Sequence, residues 1–152
     1  MLRGAKLWLR KYDAQGADLW ARVHAMPIRM PTWYGETTHT APAEDYTRGV
    51  TLAVDVSGIV MLGGVDFRDI HFGTAWVRRY SPDGREIETK TYGSEGRVLA
   101  FDRDGNTYLA KTSYGGPMRI GKHRKDGLEI WTATYVPGGI DVVNNALAVD
   151  AG

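Results

Sequence analysis

Short runs of alternating apolar and polar residues follow one another along the chain, separated by turns that contain glycine. The clearest group occupies residues 97–101, 107–111, 118–123 and 128–135. The turns Asp104-Gly105-Asn106 and Lys125-Asp126-Gly127 separate the first two and the last two of these runs. Alternation with a period of two is typical of strands that bury one face, and aspartate with glycine is typical of hairpin turns. The pattern predicts four short antiparallel strands, and no part of the chain shows a clear helical period.

Three sequence landmarks recur along the chain, and the aspartates of the first landmark, Asp55, Asp102 and Asp150, are 47 and 48 residues apart. The first starts with alanine, has aspartate two residues later and ends in glycine, and its copies are residues 53–58, 100–105 and 148–152. The second is a basic strand that leads into a turn with glycine, and its copies are residues 8–16, 76–84 and 119–127. The third is an apolar residue followed by tryptophan, at residues 19–20 and 130–131, where the middle copy has Ile87-Glu88. A fixed period of this kind indicates that one structural unit is stacked several times.

Four strands in a period of this length are typical of one blade of a β-propeller. The sequence therefore predicts an all-β fold, a partial β-propeller of four-stranded antiparallel blades. Residues 48–93 and 94–139 form two complete units, residues 5–23 and 140–152 form partial units, and residues 24–47 are an insertion. A closed propeller needs at least four blades. We therefore expect further blades, either from the rest of a longer chain or from self-association.

The repeat also carries a family resemblance. The pattern Ala-Val-Asp-x-x-Gly at residues 53–58 and the pattern Lys-Tyr-Asp-x-x-Gly-x-x-Leu-Trp at residues 11–20 resemble the bacterial β-propeller repeats called SBBP repeats. The middle copy departs from that pattern at Tyr80-Ser81 and at Glu88. The resemblance implies an extracellular or cell-surface binding module. It brings no common active site, so it implies no catalytic residue.

Composition and charge exclude several classes of function. A formal net charge of +1 gives no electrostatic reason to expect a nucleic-acid or membrane partner. The short basic run of residues 122–125 is interpreted as a solvated turn. The absence of cysteine excludes disulfides and thiolate metal sites, and no apolar run is long enough for a transmembrane helix. No signal peptide is recognised in this sequence, so the compartment stays open, and no cofactor is expected.

Two extensions interrupt the otherwise compact repeats, at residues 24–47 and 66–73. One connects a fourth strand to a first strand, the other a second strand to a third, so in an up-and-down blade both emerge on the same face. Loops on a rigid scaffold often carry binding residues, and exposed aromatics beside charges suit a carbohydrate or a polar peptide. The candidate ligand-binding residues are Trp33, Tyr34, Arg68, Asp69 and His71. The alternative is that residues 24–47 cover an exposed sheet edge or pack between blades.

Repeated residues outside these extensions have structural interpretations. Trp20 and Trp131 occupy equivalent places in fourth strands, and we expect both to be largely buried as wedges between blades. Asp55, Asp102 and Asp150 precede turns, where we expect each carboxylate to accept backbone N–H groups.

A non-enzymatic binding or scaffold module is the function that these patterns favour. One alternative is a polysaccharide hydrolase or lyase that uses the same face, which needs two carboxylates close together. Its candidates are Glu36, Glu44, Asp45, Asp66 and Asp69. A second alternative is a purely structural array of blades. Asp66, Asp69 and His71 would form a metal site only if their side chains converged, and none is expected.

Overall fold

The computed structural model describes residues 6–25, 47–67, 73–93, 96–112, 116–136 and 146–150. These residues form ten β-strands and no helix, which confirms the all-β prediction. The strands are β1 (Lys6–Tyr12), β2 (Asp18–Ala25), β3 (Thr47–Val54), β4 (Val60–Phe67), β5 (Gly73–Tyr80), β6 (Glu86–Tyr92), β7 (Gly96–Phe101), β8 (Thr107–Thr112), β9 (Met118–His123) and β10 (Glu129–Tyr135).

The strands form three antiparallel sheets, and within the described residues none of the sheets is closed. One sheet consists of β1 and β2, the second of β3 to β6 and the third of β7 to β10. In both four-stranded sheets each strand pairs with its neighbours in the sequence, so the chain runs up and down across the sheet. Strands β7 to β10 occupy the four runs from which the sequence predicted them. The last copy of the first landmark is different, because residues 146–150 belong to no strand.

Five hairpins share one turn geometry. In each, the backbone N–H of a glycine donates to the carbonyl three residues earlier, which closes the turn. The five glycines have φ between 80° and 88°, and they are Gly16, Gly58, Gly84, Gly105 and Gly127. A turn closed in this way and ending in a left-handed glycine is a common hairpin loop. All five turns connect a first strand to a second or a third strand to a fourth, so they define one end of each sheet, the hairpin end.

Aspartate side chains hold several of these turns. The Asp55 carboxylate accepts the backbone N–H groups of Ser57 and Ile59 at 2.8 and 3.0 Å. The Asp102 carboxylate accepts those of Asp104 and Asn106 at 3.1 and 2.8 Å. The predicted role of these two aspartates is thus confirmed. Each aspartate is the first residue of its turn, and from this position its carboxylate reaches the backbone N–H groups two and four residues later.

The core consists of two apolar layers, one between each pair of neighbouring sheets. The layer between β1–β2 and β3–β6 contains Leu9, Val60, Leu62, Trp76 and Tyr80, with Leu7 and Trp20 packed against it. The layer between β3–β6 and β7–β10 contains Val65, Ala75, Val77, Tyr92, Leu99 and Leu109, with Phe101 packed against it. Alternating residues of the middle sheet therefore face opposite neighbours, and this sheet is buried on both sides.

Gly63 and Gly64 lie in the middle of β4, although a Gly-Gly pair in the sequence pattern indicates the end of a strand. The reason is the space that neighbouring rings occupy. A Cβ atom on Gly64 would lie 2.6 Å from the Trp76 ring, and a Cβ on Gly63 would lie 3.0 Å from Phe101 of the next sheet. Glycine inside a strand often marks such a close approach.

Candidate functional site

The first sheet contacts the second through side chains of both β1 and β2, and we call this contact the first junction. The Trp20 indole N–H donates to the Pro82 carbonyl at 2.9 Å, and the Lys11 ammonium donates to the same oxygen at 3.2 Å. The Arg22 guanidinium donates to the Gly84 carbonyl at 2.6 Å. Side chains of the first sheet therefore bind the turn between β5 and β6 of the second sheet.

Gly84 fits the Trp20 ring closely. A Cβ atom at Gly84 would lie 2.7 Å from Trp20 Cδ2, which is closer than real Cβ atoms approach another heavy atom. The ring centroids of Trp20 and Tyr80 are 6.2 Å apart, a distance typical of packed aromatic pairs. The glycine thus serves both the turn conformation and the approach of the tryptophan.

The second sheet contacts the third through a similar set of bonds, the second junction. The Val56 backbone N–H donates to the Arg103 carbonyl at 2.9 Å. This bond joins the β3–β4 hairpin of the second sheet to the β7–β8 hairpin of the third. The Arg79 guanidinium, buried in the core, donates to the Gly105 carbonyl at 3.2 Å. The Lys90 ammonium donates to the Lys125 carbonyl at 2.8 Å. Each hairpin of the third sheet is therefore bonded to the sheet before it.

The two junctions use matching positions in the pairing of strands. Trp20 pairs with Lys11 across β2 and β1, and Glu88 pairs with Arg79 across β6 and β5. Where the first junction has Trp20, the second has Glu88, which forms ion pairs with Arg79 at 2.8 Å and with Lys90 at 3.0 Å. The carbonyl that accepts from Lys90 occupies the same turn position as the Pro82 carbonyl. A charged network thus replaces the tryptophan while the hairpin stays bound.

Asp55 and Lys125 add an ion pair across the second junction at 3.2 Å. The Asp55 side chain is nearly fully buried. Burial alone would raise its pKa, but the N–H groups of Ile59 and Ser57 and the Lys125 ammonium outweigh burial and lower it. The carboxylate therefore stays ionised at neutral pH.

The basic run of residues 122–125 lies only in part in a solvated turn: Arg124 and Lys125 are exposed at the hairpin turn, whereas Lys122 and His123 belong to β9. Lys122 lies in β9 and forms an ion pair with Asp102 at 3.2 Å. His123 is buried, and its ring meets that of Tyr92 edge-on at 5.0 Å. Burial lowers the pKa of His123, against the effect of the Glu129 carboxylate. Sequence reasoning missed these roles because alternation in β9 points successive basic residues to opposite faces.

Trp131 differs from the prediction in one respect. It pairs with Lys122 as Trp20 pairs with Lys11, so the two tryptophans do occupy matching places. The prediction that Trp131 is largely buried is wrong, because 43% of it is exposed. Every residue of β10 is exposed. The physical reason is that no strand within the described ranges packs against this face of the third sheet.

The predicted ligand-binding residues Trp33, Tyr34, Arg68, Asp69 and His71 lie outside the described residues. The strand ends that flank both extensions are described. Thr47 pairs with Asp66, and Phe67 pairs with Gly73, at the end of the second sheet opposite the hairpin end. We call this the loop end. Of the predicted carboxylates, only the backbone of Asp66 is described.

Within the described ranges no group of three or more histidine, aspartate or glutamate side chains is arranged to hold a metal ion. The part of the chain that the structure describes contains no helix that could span a bilayer. Comparison with protein-family models finds no match, and comparison with curated proteins finds none either.

Proposed function

We propose that the sheets β3–β6 and β7–β10 are successive blades of a β-propeller, and that the chain is a non-enzymatic binding or scaffold module. The observation that carries this proposal is the repeated junction. At both junctions side chains of one sheet donate to the carbonyl at the second position of a hairpin turn in the next sheet, that of Pro82 and that of Lys125. Repeat proteins are built in this way, each unit stabilised by contacts with its neighbours.

The arrangement of strands also supports blades. The strand β7 contacts β3, β4 and β5 of the preceding sheet, so the third sheet approaches the second through its first strand. The fourth strand β10 lies at the opposite edge of its sheet. In a propeller the first strands surround the central channel and the outer strands spread apart.

We place ligand binding at the loop end. Hairpin turns at the opposite end are short and are used in the junctions, whereas the loop end carries both long extensions. The ligand class is a carbohydrate or a polar peptide that stacks on Trp33 or Tyr34 and bonds to Arg68, Asp69 or His71. Aromatic stacking combined with a few polar groups is a common way to bind such ligands.

Co-sedimentation with insoluble cellulose, chitin and xylan tests the carbohydrate form of this proposal. We expect the chain to bind at least one polymer and the Trp33→Ala/Tyr34→Ala variant to lose that binding. The control variant Gln15→Ala/Arg103→Ala, altered only at the hairpin end, should bind as the unaltered chain does. Equal binding by the two variants would contradict a site at the loop end, and release of soluble sugar would favour the hydrolase or lyase instead.

A further inference from the structure

Two surfaces of the described residues carry large exposed apolar side chains. The outgoing face belongs to β7–β10 and carries the exposed Trp131, with the partly buried Ile120 and Lys122 beside it. The incoming face belongs to β1–β2 and includes Trp8 and Tyr12, which are 65% and 51% exposed. Both faces lie at the outer sides of the three-sheet stack, one before the first sheet and one after the third. Exposed aromatic patches of this kind commonly mark binding surfaces.

The outgoing face reproduces one half of the first junction. Trp131 pairs with Lys122 in the register in which Trp20 pairs with Lys11. Ile120 lies two residues before Lys122, as Leu9 lies two residues before Lys11. Leu9 is buried against the second sheet. Trp20, Lys11 and Leu9 thus have counterparts on the outgoing face, whereas the position of Arg22 is taken by Ala133.

The incoming face reproduces the other half. Trp8 and Tyr12 have the spacing of Trp76 and Tyr80 within the second landmark of the repeat. Trp76 is 8% exposed and Tyr80 is fully buried beneath the first sheet, whereas Trp8 and Tyr12 are open.

The turn glycines Gly84 and Gly16 differ in the same way, since the first is covered by a ring and the second is open. Gly84 lies under the Trp20 ring, whereas a Cβ atom at Gly16 would meet nothing within 4 Å. Both glycines have the same φ of 85°, so the backbone turn that receives a tryptophan is already formed at Gly16.

We propose that the outgoing face of one copy of this chain binds the incoming face of a second copy, head to tail. The Trp131 ring packs over Gly16 and Tyr12 of the second copy, and its indole N–H donates to the Ala14 carbonyl, which corresponds to the Pro82 carbonyl. Ile120 packs against Trp8. This inference rests on the proposed function, because the contact is one more junction between blades.

The two faces differ, so the contact is heterologous. Each copy has one face of each kind, and contacts of this type lead to a closed ring or to an open filament, depending on the rotation between copies. A contact of a face with itself would instead give a two-fold dimer. The two possibilities differ in what happens when complementary variants are mixed.

Analytical ultracentrifugation of two variants tests the proposal. Trp131→Glu disrupts only the outgoing face, and Trp8→Glu/Tyr12→Glu disrupts only the incoming face. The unaltered chain should sediment as species larger than 16.8 kDa, and each variant alone as a monomer of about that mass. An equimolar mixture should form a one-to-one dimer of twice the monomer mass, because one intact face of each kind remains.

Three results would overturn the proposal: a monomeric unaltered chain, a mixture that remains monomeric, or a variant that associates by itself. Circular dichroism verifies that both variants keep the β-sheet spectrum, as expected from the exposure of the replaced side chains. If a glutamate variant does not fold, Trp131→Ala and Tyr12→Ala take its place with the same expectations.

Failure of the proposed function has a separate signature. If the chain does not associate but Trp20→Ala still reduces stability, the first junction is formed and the proposed blades stand. Only the binding of a second copy is then contradicted. If Trp20→Ala has no effect on stability, the junction itself is not formed in solution, and the proposed blades fail with it.

Discussion

At the scale of single residues, the junctions depend on glycine placed beneath an aromatic ring. The Trp76 ring covers Gly64, the Phe101 ring covers Gly63, and the Trp20 ring covers Gly84. Each glycine provides the space that a methyl group would occupy, which lets a large ring approach the backbone. Dense packing of this kind makes an added carbon costly, because the interior has few empty volumes to receive it.

Gly84→Ala and Gly16→Ala form a matched pair that separates backbone strain from packing. Both glycines have φ of 85°, so alanine at either position costs about 1–2 kcal/mol for the left-handed conformation. At Gly84 the new Cβ also meets the Trp20 ring, which we expect to add about 1–3 kcal/mol. Urea unfolding in the Trp131→Glu background, where copies should not associate, gives both values. Equal losses would show that Trp20 does not pack on Gly84.

At the scale of elements, the sequence predicted the strands and hairpins of the third sheet because these depend on local chemistry. Alternation sets which residues of a strand share a face, and aspartate and glycine set the turns. The place of the Gly63-Gly64 pair inside β4 follows instead from the rings of Trp76 in the same sheet and Phe101 in the next. Contacts between sheets are not visible in a local pattern.

In the candidate site, too, the local pattern predicted the positions of residues but not the contacts between sheets. Repetition of Trp20 and Trp131 correctly identified equivalent positions, but it predicted burial for both, because burial depends on which sheet follows. The ion pair of Asp55 with Lys125 joins residues 70 positions apart, and nothing in the spacing of the sequence indicates it. Residues of the two extensions lie outside the described ranges, so their binding role stays a prediction.

The unequal burial of the two tryptophans leads to a prediction about the elements that carry them. Trp20 packs between two sheets and donates to the Pro82 carbonyl, so Trp20→Ala should reduce the free energy of unfolding by about 2–4 kcal/mol. Trp131 lies on an exposed strand, so Trp131→Ala should cost less than about 1 kcal/mol in the dissociated chain. Denaturant unfolding at low protein concentration measures both. A larger loss for Trp131 than for Trp20 would contradict the order of burial.

At the scale of the whole molecule, the junctions combine apolar layers with ionised carboxylates. Burial alone would raise the pKa of Asp55, Glu88 and Asp102, but hydrogen bonds and nearby cations outweigh it and lower the pKa of each. The bonds come from Ile59 to Asp55, from Lys90 to Glu88 and from Asn106 to Asp102, each with a lysine or arginine close by. Asp55 and Glu88 lie at the second junction, so acid should weaken the attachment of the third sheet. The protein also carries 19 lysine and arginine residues, and protonation of its carboxylates leaves their charges uncompensated.

The pH dependence of stability follows from the sign of these shifts. A carboxylate whose pKa is lower in the folded than in the unfolded chain binds fewer protons when folded, so its contribution is complete above the unfolded value of about 3.9. That contribution is lost as the pH falls through the lower, folded pKa. We therefore expect the free energy of unfolding to decrease as the pH falls below about 4. Asp55→Asn should reduce this decrease, because the variant has no proton to bind at that position. Urea unfolding of both proteins at neutral and acidic pH measures the difference, and an unchanged decrease in the variant would show that ionisation of the Asp55 carboxylate does not stabilise the folded chain.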